Sequence, residues 1–246
     1  MPPTRSRLRT FAGKCYRSLP PRLQCAWLSL RAGGRVQRGA RSFIHRSVQI
    51  LGKKAVAIGE NTVISQDCWF NVNHRETGST MSIVVGDNCF IGRRNFFSSG
   101  RLVHLKDYVL TANDCHFLGS THIGDDPMVP IIGTGTTADD VISVGTNTFI
   151  GAGARIVGHV TIGHGCIVGA GSTVTKDVPP FSQVVGSPAT VRRRYSVPRQ
   201  GWVAPADFTP DDESAIPGEA DYLARLAAHG AIRMPYLAAG NDLGNC

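Results

Sequence analysis

Charge is scarce in this 246-residue chain: Asp, Glu, Lys and Arg make up 18% of it, where about a quarter is usual. No apolar run reaches the ~18 residues that a membrane-spanning helix requires. The 7 cysteines include no CxxC pair and are irregularly spaced, which argues against a disulfide framework and against a zinc site. The apolar stretch Cys25-Ala26-Trp27-Leu28 is too short for a signal-peptide core, so a reducing, cytoplasmic setting is expected. No collagen triplet is present, and the recurrence of aliphatic residues through the middle excludes low-complexity disorder.

Glycine is abundant, 28 residues or about 11%, against a typical share near 7%. The net charge of +8 is unevenly distributed. Residues 1–59 hold 13 Lys/Arg and no acid, residues 60–199 balance 11 of each sign, and residues 200–246 hold 2 basic and 7 acidic residues. The basicity therefore belongs to an N-terminal arm, and the glycine-rich middle is neutral.

That middle carries a six-residue repeat. Val144, Ile150, Ile156, Ile162, Val168 and Val174 head six hexads in unbroken register, mostly followed by a small residue (Gly145, Gly151, Gly163, Gly169). The fifth position is small or β-branched: Thr148, Ala154, Val160, Cys166, Ser172, Val178. Upstream, Ile44 and Ile50, then Ile58 and Ile64, then Val85, Ile91 and Phe97, then Leu105 and Thr111 continue the phase across short insertions, with Thr111 the weak member. A period of six fits a short strand and a turn, each delivering one aliphatic side chain inward, with glycine easing the turn. Three hexads close a triangular coil. About five coils stacked at roughly 4.8 Å would form a parallel β-solenoid. Cys68, Cys89, Cys115 and Cys166 occupy fifth positions and read as small buried hydrophobes.

The hexads, the stretch Val168-Gly169-Ala170-Gly171-Ser172-Thr173-Val174-Thr175-Lys176-Asp177-Val178-Pro179-Pro180 and Val185-Gly186-Ser187-Pro188-Ala189 resemble the hexapeptide-repeat acyltransferases. Within that family the chain is most similar to the galactoside and maltose acetyltransferase and polysaccharide O-acetyltransferase branch. The resemblance implies an all-β fold, a left-handed parallel β-helix, assembled as a homotrimer with acyl-CoA between neighbouring prisms. Handedness comes from the resemblance, since parallel crossovers are otherwise right-handed. The expected organisation is a basic cap or arm over 1–43, a β-helix acyltransferase domain over 44–195 and an acidic, Pro-rich tail over 196–246, with short helical extensions at both ends.

Two stretches break the register, residues 71–82 and 118–143. Loops extruded from a rigid scaffold are where function concentrates. Val103-His104-Leu105-Lys106-Asp107-Tyr108-Val109-Leu110-Thr111-Ala112 resembles the family's coil before its catalytic loop, which puts His122 at the position of the catalytic histidine. The residue type suits the chemistry, because a neutral imidazole can take the proton of a sugar hydroxyl as it attacks a thioester. His116 and His74 are the other candidates for that base, and Asp125 or Asp126 is either an orienting partner or a turn former.

By the same resemblance, Ala152, Ala170, Thr175, Lys176 and Arg193 match positions that touch coenzyme A. Small edge residues let pantetheine approach the backbone, and cations meet phosphates. Thr190 replaces a basic residue of that branch, which shifts a phosphate contact to Arg192 or Arg194, and Phe149 replaces a more frequent tryptophan. The expected activity is acetyl-CoA-dependent O-acetyl transfer to a carbohydrate hydroxyl in bacterial surface-polysaccharide assembly.

Two other functions share this fold class. A γ-type carbonic anhydrase would hold zinc through histidines such as those of Gly158-His159 and His164-Gly165-Cys166, but both lie at turn positions where solvent exposure is expected, and no metal is expected. A non-catalytic trimeric scaffold is the third reading. The basic residues 1–46, with Arg22–Arg31 patterned as a short amphipathic helix, either cap the open end of the solenoid or touch anionic lipid at the inner face of the membrane. Nucleic-acid binding is not expected, because no recognised pattern accompanies the charge.

Overall fold

The computed structural model describes residues 36–74, 81–232 and 234. Over them the chain winds into six complete triangular coils, from strands Gln37–Arg38, Phe43–Ile44 and Gln49–Leu51 to strands Val160–Ile162, Ile167–Val168 and Thr173–Val174. Equivalent strands stack in parallel into three sheets of 6, 9 and 6 strands, here called A, B and C in the order in which each coil meets them. The fold is a left-handed parallel β-helix.

The repeat forms these coils because each hexad head points into the prism. Val144, Ile150, Ile156, Ile162, Val168 and Val174 are all buried, as are the fifth-position residues Thr148, Ala154, Val160, Cys166, Ser172 and Val178. Phe70, Phe97 and Phe117 run up the inside of sheet C as a face-to-face stack, with centroids 4.4 and 4.7 Å apart. The coil spacing imposes that stacking distance. Burial pushes the Cys68 and Cys89 thiols up to about 12 and those of Cys115 and Cys166 up to about 11, so none offers a thiolate at neutral pH.

Thr111, the weak hexad head, is buried and satisfied. Its Oγ1 accepts from Gly92 N and from Asn95 Nδ2, both at 3.0 Å. Asn95, in the fifth position of its own hexad, also donates to the Gly92 and Ala112 carbonyls and accepts from Cys115 N. A closed polar network thus replaces two apolar contacts at little cost, since each buried group has a partner.

The register glycines are required by close approach. A Cβ on Gly145, Gly151 or Gly163 would lie 2.4–2.6 Å from the backbone of the coil above. The positive φ angles fall instead on other turn residues, among them Gly153, Gly165, Asn61, Asn88 and Asn147.

Two boundaries differ from the expected ones. The parallel stack starts at Gln37–Arg38, which pairs with Ala57–Ile58. Arg38 stands where the period would place an aliphatic head, which hides the first hexad of a coil whose other heads, Ile44 and Ile50, follow the repeat. The described residues form six coils where about five were expected. At the other end, sheet B continues into an antiparallel hairpin, Ser182–Gly186 with Ala189–Ser196, followed by Gly201–Val203.

The segment beyond is more than an appended tail. After helix α1 (Pro210–Ser214) and helix α2 (Glu219–Ala227) the chain descends along the corner between sheets A and B. Tyr222 packs on Phe181 and His164, with ring centroids 5.1 and 5.3 Å away, and its hydroxyl accepts from Asn147 Nδ2 at 2.5 Å. Glu219 pairs with Lys106 Nζ and accepts from Thr146 N at 2.9 Å. Lower down, Ile232 O accepts from Asn61 Nδ2 at 3.2 Å, and Met234 is buried with Phe43, Val63 and Phe90 on the outer face of sheet B. Most of the basic arm, including the expected helix at 22–31, lies outside the described residues. Among the described residues no helix is long and apolar enough to cross a membrane.

Candidate active site

The corner from sheet C to sheet A is where the coil opens. Strand His116–Leu118 ends in the fourth coil, and strand Val141–Val144 starts the fifth. The chain between them leaves the prism and returns as two arms bonded to each other. Thr137 N donates to Thr121 O at 2.8 Å, Thr121 N donates to Thr137 Oγ1 at 3.1 Å, and Ile123 N donates to Gly135 O at 3.3 Å. His122 lies between these bonds, paired as a β-bridge with Thr136. Its side chain is exposed, and among the described residues no hydrogen bond to its ring is found. Asp126 caps the next turn, Oδ1 accepting from Met128 N at 2.9 Å, and so acts as a turn former.

The other two candidate histidines are placed differently. His116 lies on the outer face of sheet C, half-buried and edge-on to Phe96 at 6.1 Å. Phe96 in turn packs on Trp69 at 5.0 Å, so His116 extends a surface aromatic ladder. His74 stands at the same sheet C to sheet A corner two coils below the hairpin. Its Nε2 is 2.9 Å from Thr137 O and 3.4 Å from Thr136 Oγ1.

The donor candidates are distributed over the top of the prism. Ala152 and Ala170 are exposed at the corner between sheets B and C, one coil apart and joined by Gly171 N donating to Ala152 O. Thr175 and Lys176 are exposed on the next corner, above the His122 hairpin, and Arg193 is exposed on the antiparallel strand opposite Gln183. One chain therefore does not bring all five together. Thr175 and Lys176 share the corner of the His122 hairpin, Arg193 lies on the antiparallel strand that extends sheet B, and the two alanines lie across the width of sheet C.

Of the two arginines considered as substitutes near Thr190, Arg194 is engaged elsewhere. It pairs with Glu213 at 2.6 Å, donates to Pro180 O and lies 4.1 Å over the Phe208 ring. Arg192 is exposed. Phe149 is partly exposed on the outer face of sheet B beside Leu110.

The expected exposure of His164 is corrected. It is only 7% exposed, held edge-on by Phe181 and tilted against Tyr222, with Nε2 3.0 Å from Pro217 O. The C-terminal strap, remote in sequence, covers it. His159 is exposed, and the described residues contain no group of three or more His, Cys, Asp or Glu placed to hold a metal ion. The Lys106–Glu219 pair and the strap contacts carried no local sequence signal. The nearest hint was the short helical extension expected within the acidic tail.

Comparison with known proteins agrees with the repeat. Residues 142–176 match the family model of the bacterial transferase hexapeptide (six repeats). The chain is 30% identical over 152 residues, 60% of its length, to a probable acetyltransferase of Mycobacterium tuberculosis, Rv3034c, and spans half the length of that protein. It is 27% identical over 164 residues to galactoside O-acetyltransferase of Escherichia coli, covering 63% of this chain and 71% of that one. Among solved structures, AntD, an N-acyltransferase from Bacillus cereus in complex with dTDP and coenzyme A, superposes with a TM-score of 0.55 at 19% identity over 66% of this chain and 86% of that one. The hexapeptide-repeat acetyltransferase VCA0836 from Vibrio cholerae does so with 0.50 at 23% over 77% and 91%. The six-residue repeat and the prism it builds agree with these likenesses: residues 142–176 carry the bacterial transferase hexapeptide, and the chain is similar to named acetyltransferases.

Proposed function

We propose that the chain is an acyl-CoA-dependent O-acetyltransferase that acts on a sugar hydroxyl, with His122 as general base. The observation that carries this reading is the hairpin, which presents an exposed imidazole on a ladder-bonded arm at an otherwise closed prism corner. His122 takes the hydroxyl proton as the oxygen attacks the thioester carbonyl. A backbone N–H stabilises the oxyanion. Collapse of the tetrahedral adduct expels the coenzyme A thiolate, which takes up the proton from the imidazolium.

Ala152 and Ala170 would line the pantetheine path, and Thr175, Lys176, Arg193 and Arg192 would meet the coenzyme's polar end. The separation of the alanines from the hairpin supports a homotrimer. The two groups border opposite edges of sheet C, so a cyclic assembly with sheet C towards its axis brings the alanine corner of one copy to the hairpin corner of the next. Trp69, 42% exposed, and the hairpin apolar residues Met128 and Ile132, 88% and 86% exposed, would be covered in such an assembly. The galactoside acetyltransferase likeness supports a carbohydrate acceptor. Surface-polysaccharide assembly, and contact of residues 1–46 with anionic lipid, extend the same reading.

A glycan panel assayed with acetyl-CoA by release of coenzyme A thiol tests the proposal. His122→Ala is expected to lower turnover by about 10²–10⁴-fold without changing the melting temperature. Unchanged turnover would remove His122 as the base, and absence of turnover with every acceptor would favour a binding scaffold.

A further inference from the structure

We infer that His74 is a positioning residue for the His122 hairpin, acting through the Thr137 carbonyl. The inference rests on the reading of His122 as the base.

The first insertion is anchored where it leaves the prism. Asn71 Nδ2 donates to Asn73 Oδ1 at 2.5 Å, and Asn73 Nδ2 donates to Ser98 Oγ of the coil above at 3.0 Å. Ser98 is buried, so Asn73 is tied to the rigid coil, and the next residue, His74, reaches out from that anchor. Its Nε2 faces a carbonyl oxygen, which can only accept. The proton is therefore on Nε2, and His74 donates to Thr137 O at 2.9 Å.

Thr137 is the residue on which the hairpin closes. Its carbonyl also accepts from Ser120 Oγ at 2.8 Å, its N and Oγ1 hold both backbone groups of Thr121, and Oγ1 reaches Asp140 Oδ2 at 3.3 Å. Thr136, beside it, is the bridge partner of His122. Apart from these bonds the hairpin extends into solvent: residues 121–133 are exposed throughout. His74 thus links the arm opposite His122 to a coil two levels below, and it fixes the angle at which the hairpin leaves the prism. Small displacements of a reacting group are costly, since a misplacement of about 1 Å can lower a rate about 10²-fold. In this arrangement His74 does not touch substrate and carries no proton of the reaction.

The test uses the full chain with His74→Ala and His74→Gln. The glutamine amide restores a donor to Thr137 O. Hydrogen exchange of the Thr121, Ile123 and Thr137 amides reads the hairpin directly and needs no acceptor. His74→Ala is expected to speed exchange at these amides by about tenfold and leave the coil amides unchanged, and His74→Gln is expected to return them towards wild type. With an acceptor from the glycan panel, kcat should fall in His74→Ala and recover in His74→Gln, while the KM for acetyl-CoA and the acidic limb of the pH profile stay fixed. Unchanged hairpin exchange in His74→Ala, or no rescue by glutamine, overturns the inference. Loss of the acidic limb in His74→Gln overturns it too, because it would make His74 the base. Failure of the base reading shows separately, as full turnover in His122→Ala.

Discussion

Two corners of the same prism have opposite fates. At the corner between sheets A and B every turn is short, and the C-terminal strap lies over the stack of turns, bonded to Asn61, Lys106, Thr146 and Asn147. At the corner between sheets C and A two turns are replaced by longer stretches, of which His74 in the first meets Thr137 in the second, and residues 119–140 are bonded mainly to one another. The backbone of a solenoid is satisfied from coil to coil, so any corner can be lengthened without breaking the sheets. The first corner spends its extra chain on stability, and the second uses it to hold a histidine in solvent. Substitutions at the covered corner and in the interior should therefore move stability and spare turnover, whereas those at the open corner should do the reverse.

The largest stability effect is expected inside the prism. Phe97 is fully buried between Phe70 and Phe117. Phe97→Ala removes both stacking contacts and leaves a cavity that the coils cannot close, at a cost of about 3–5 kcal/mol, measurable as a lower urea midpoint. Turnover per folded molecule should stay within about twofold at temperatures where the variant is folded. A loss of turnover at unchanged stability would erase the contrast between interior and corner.

A smaller effect is expected at the covered corner. Tyr222→Ala removes an aromatic contact with Phe181, another with His164 and the bond from Asn147. About 2 kcal/mol is expected from the lost aromatic packing and hydrogen bond, read as a lower thermal midpoint with kcat unchanged. If Tyr222→Ala instead melted like wild type, the strap would be a passenger and the comparison of corners would fail.

How far these features could be read in advance follows the same division. The hexads were legible because a period of six places each head inward irrespective of what surrounds the coil, and the same count assigns corners. Ala152 and Ala170 are one full coil of three hexads apart, so they share a corner, and Lys176 is one hexad further, on the next. Of the first coil, the heads Ile44 and Ile50 were legible, and its first hexad was hidden because exposed Arg38 occupies the head position. Thr111 looked weak because its partner, Asn95, is 16 residues away and only the coil brings them together. His122 was legible as a position in a resembling loop, but the bonds that hold it join residues such as Thr121 and Thr137 that follow no period. His164 was misread because its cover arrives from Pro217, 53 residues later, and no local pattern records that contact.

That buried imidazole supplies the smallest expected effect, a pH dependence. Burial lowers the pKa of His164 below its ordinary value, the Pro217 carbonyl and Glu219 oppose that shift, and Lys106 adds to it. In the unfolded chain a histidine titrates near 6.5. As pH falls through 6.5 the unfolded state takes up a proton that folded His164 still refuses, so the unfolded state binds more protons and stability drops. The loss runs from about pH 6.5 down to the lowered folded value, and above that window the contribution is fully present. Burial also lowers His45 and His104, so wild type should lose stability between pH 7.5 and 5.5 at several sites. His164→Phe keeps a ring between Phe181 and Tyr222 but has no proton to bind. Its thermal midpoint should therefore fall less steeply over the same range, with a remaining slope from the other two histidines. Equal slopes in the two proteins would mean that the strap does not shield His164 in solution, and the covered corner would be as open to water as the one that carries His122.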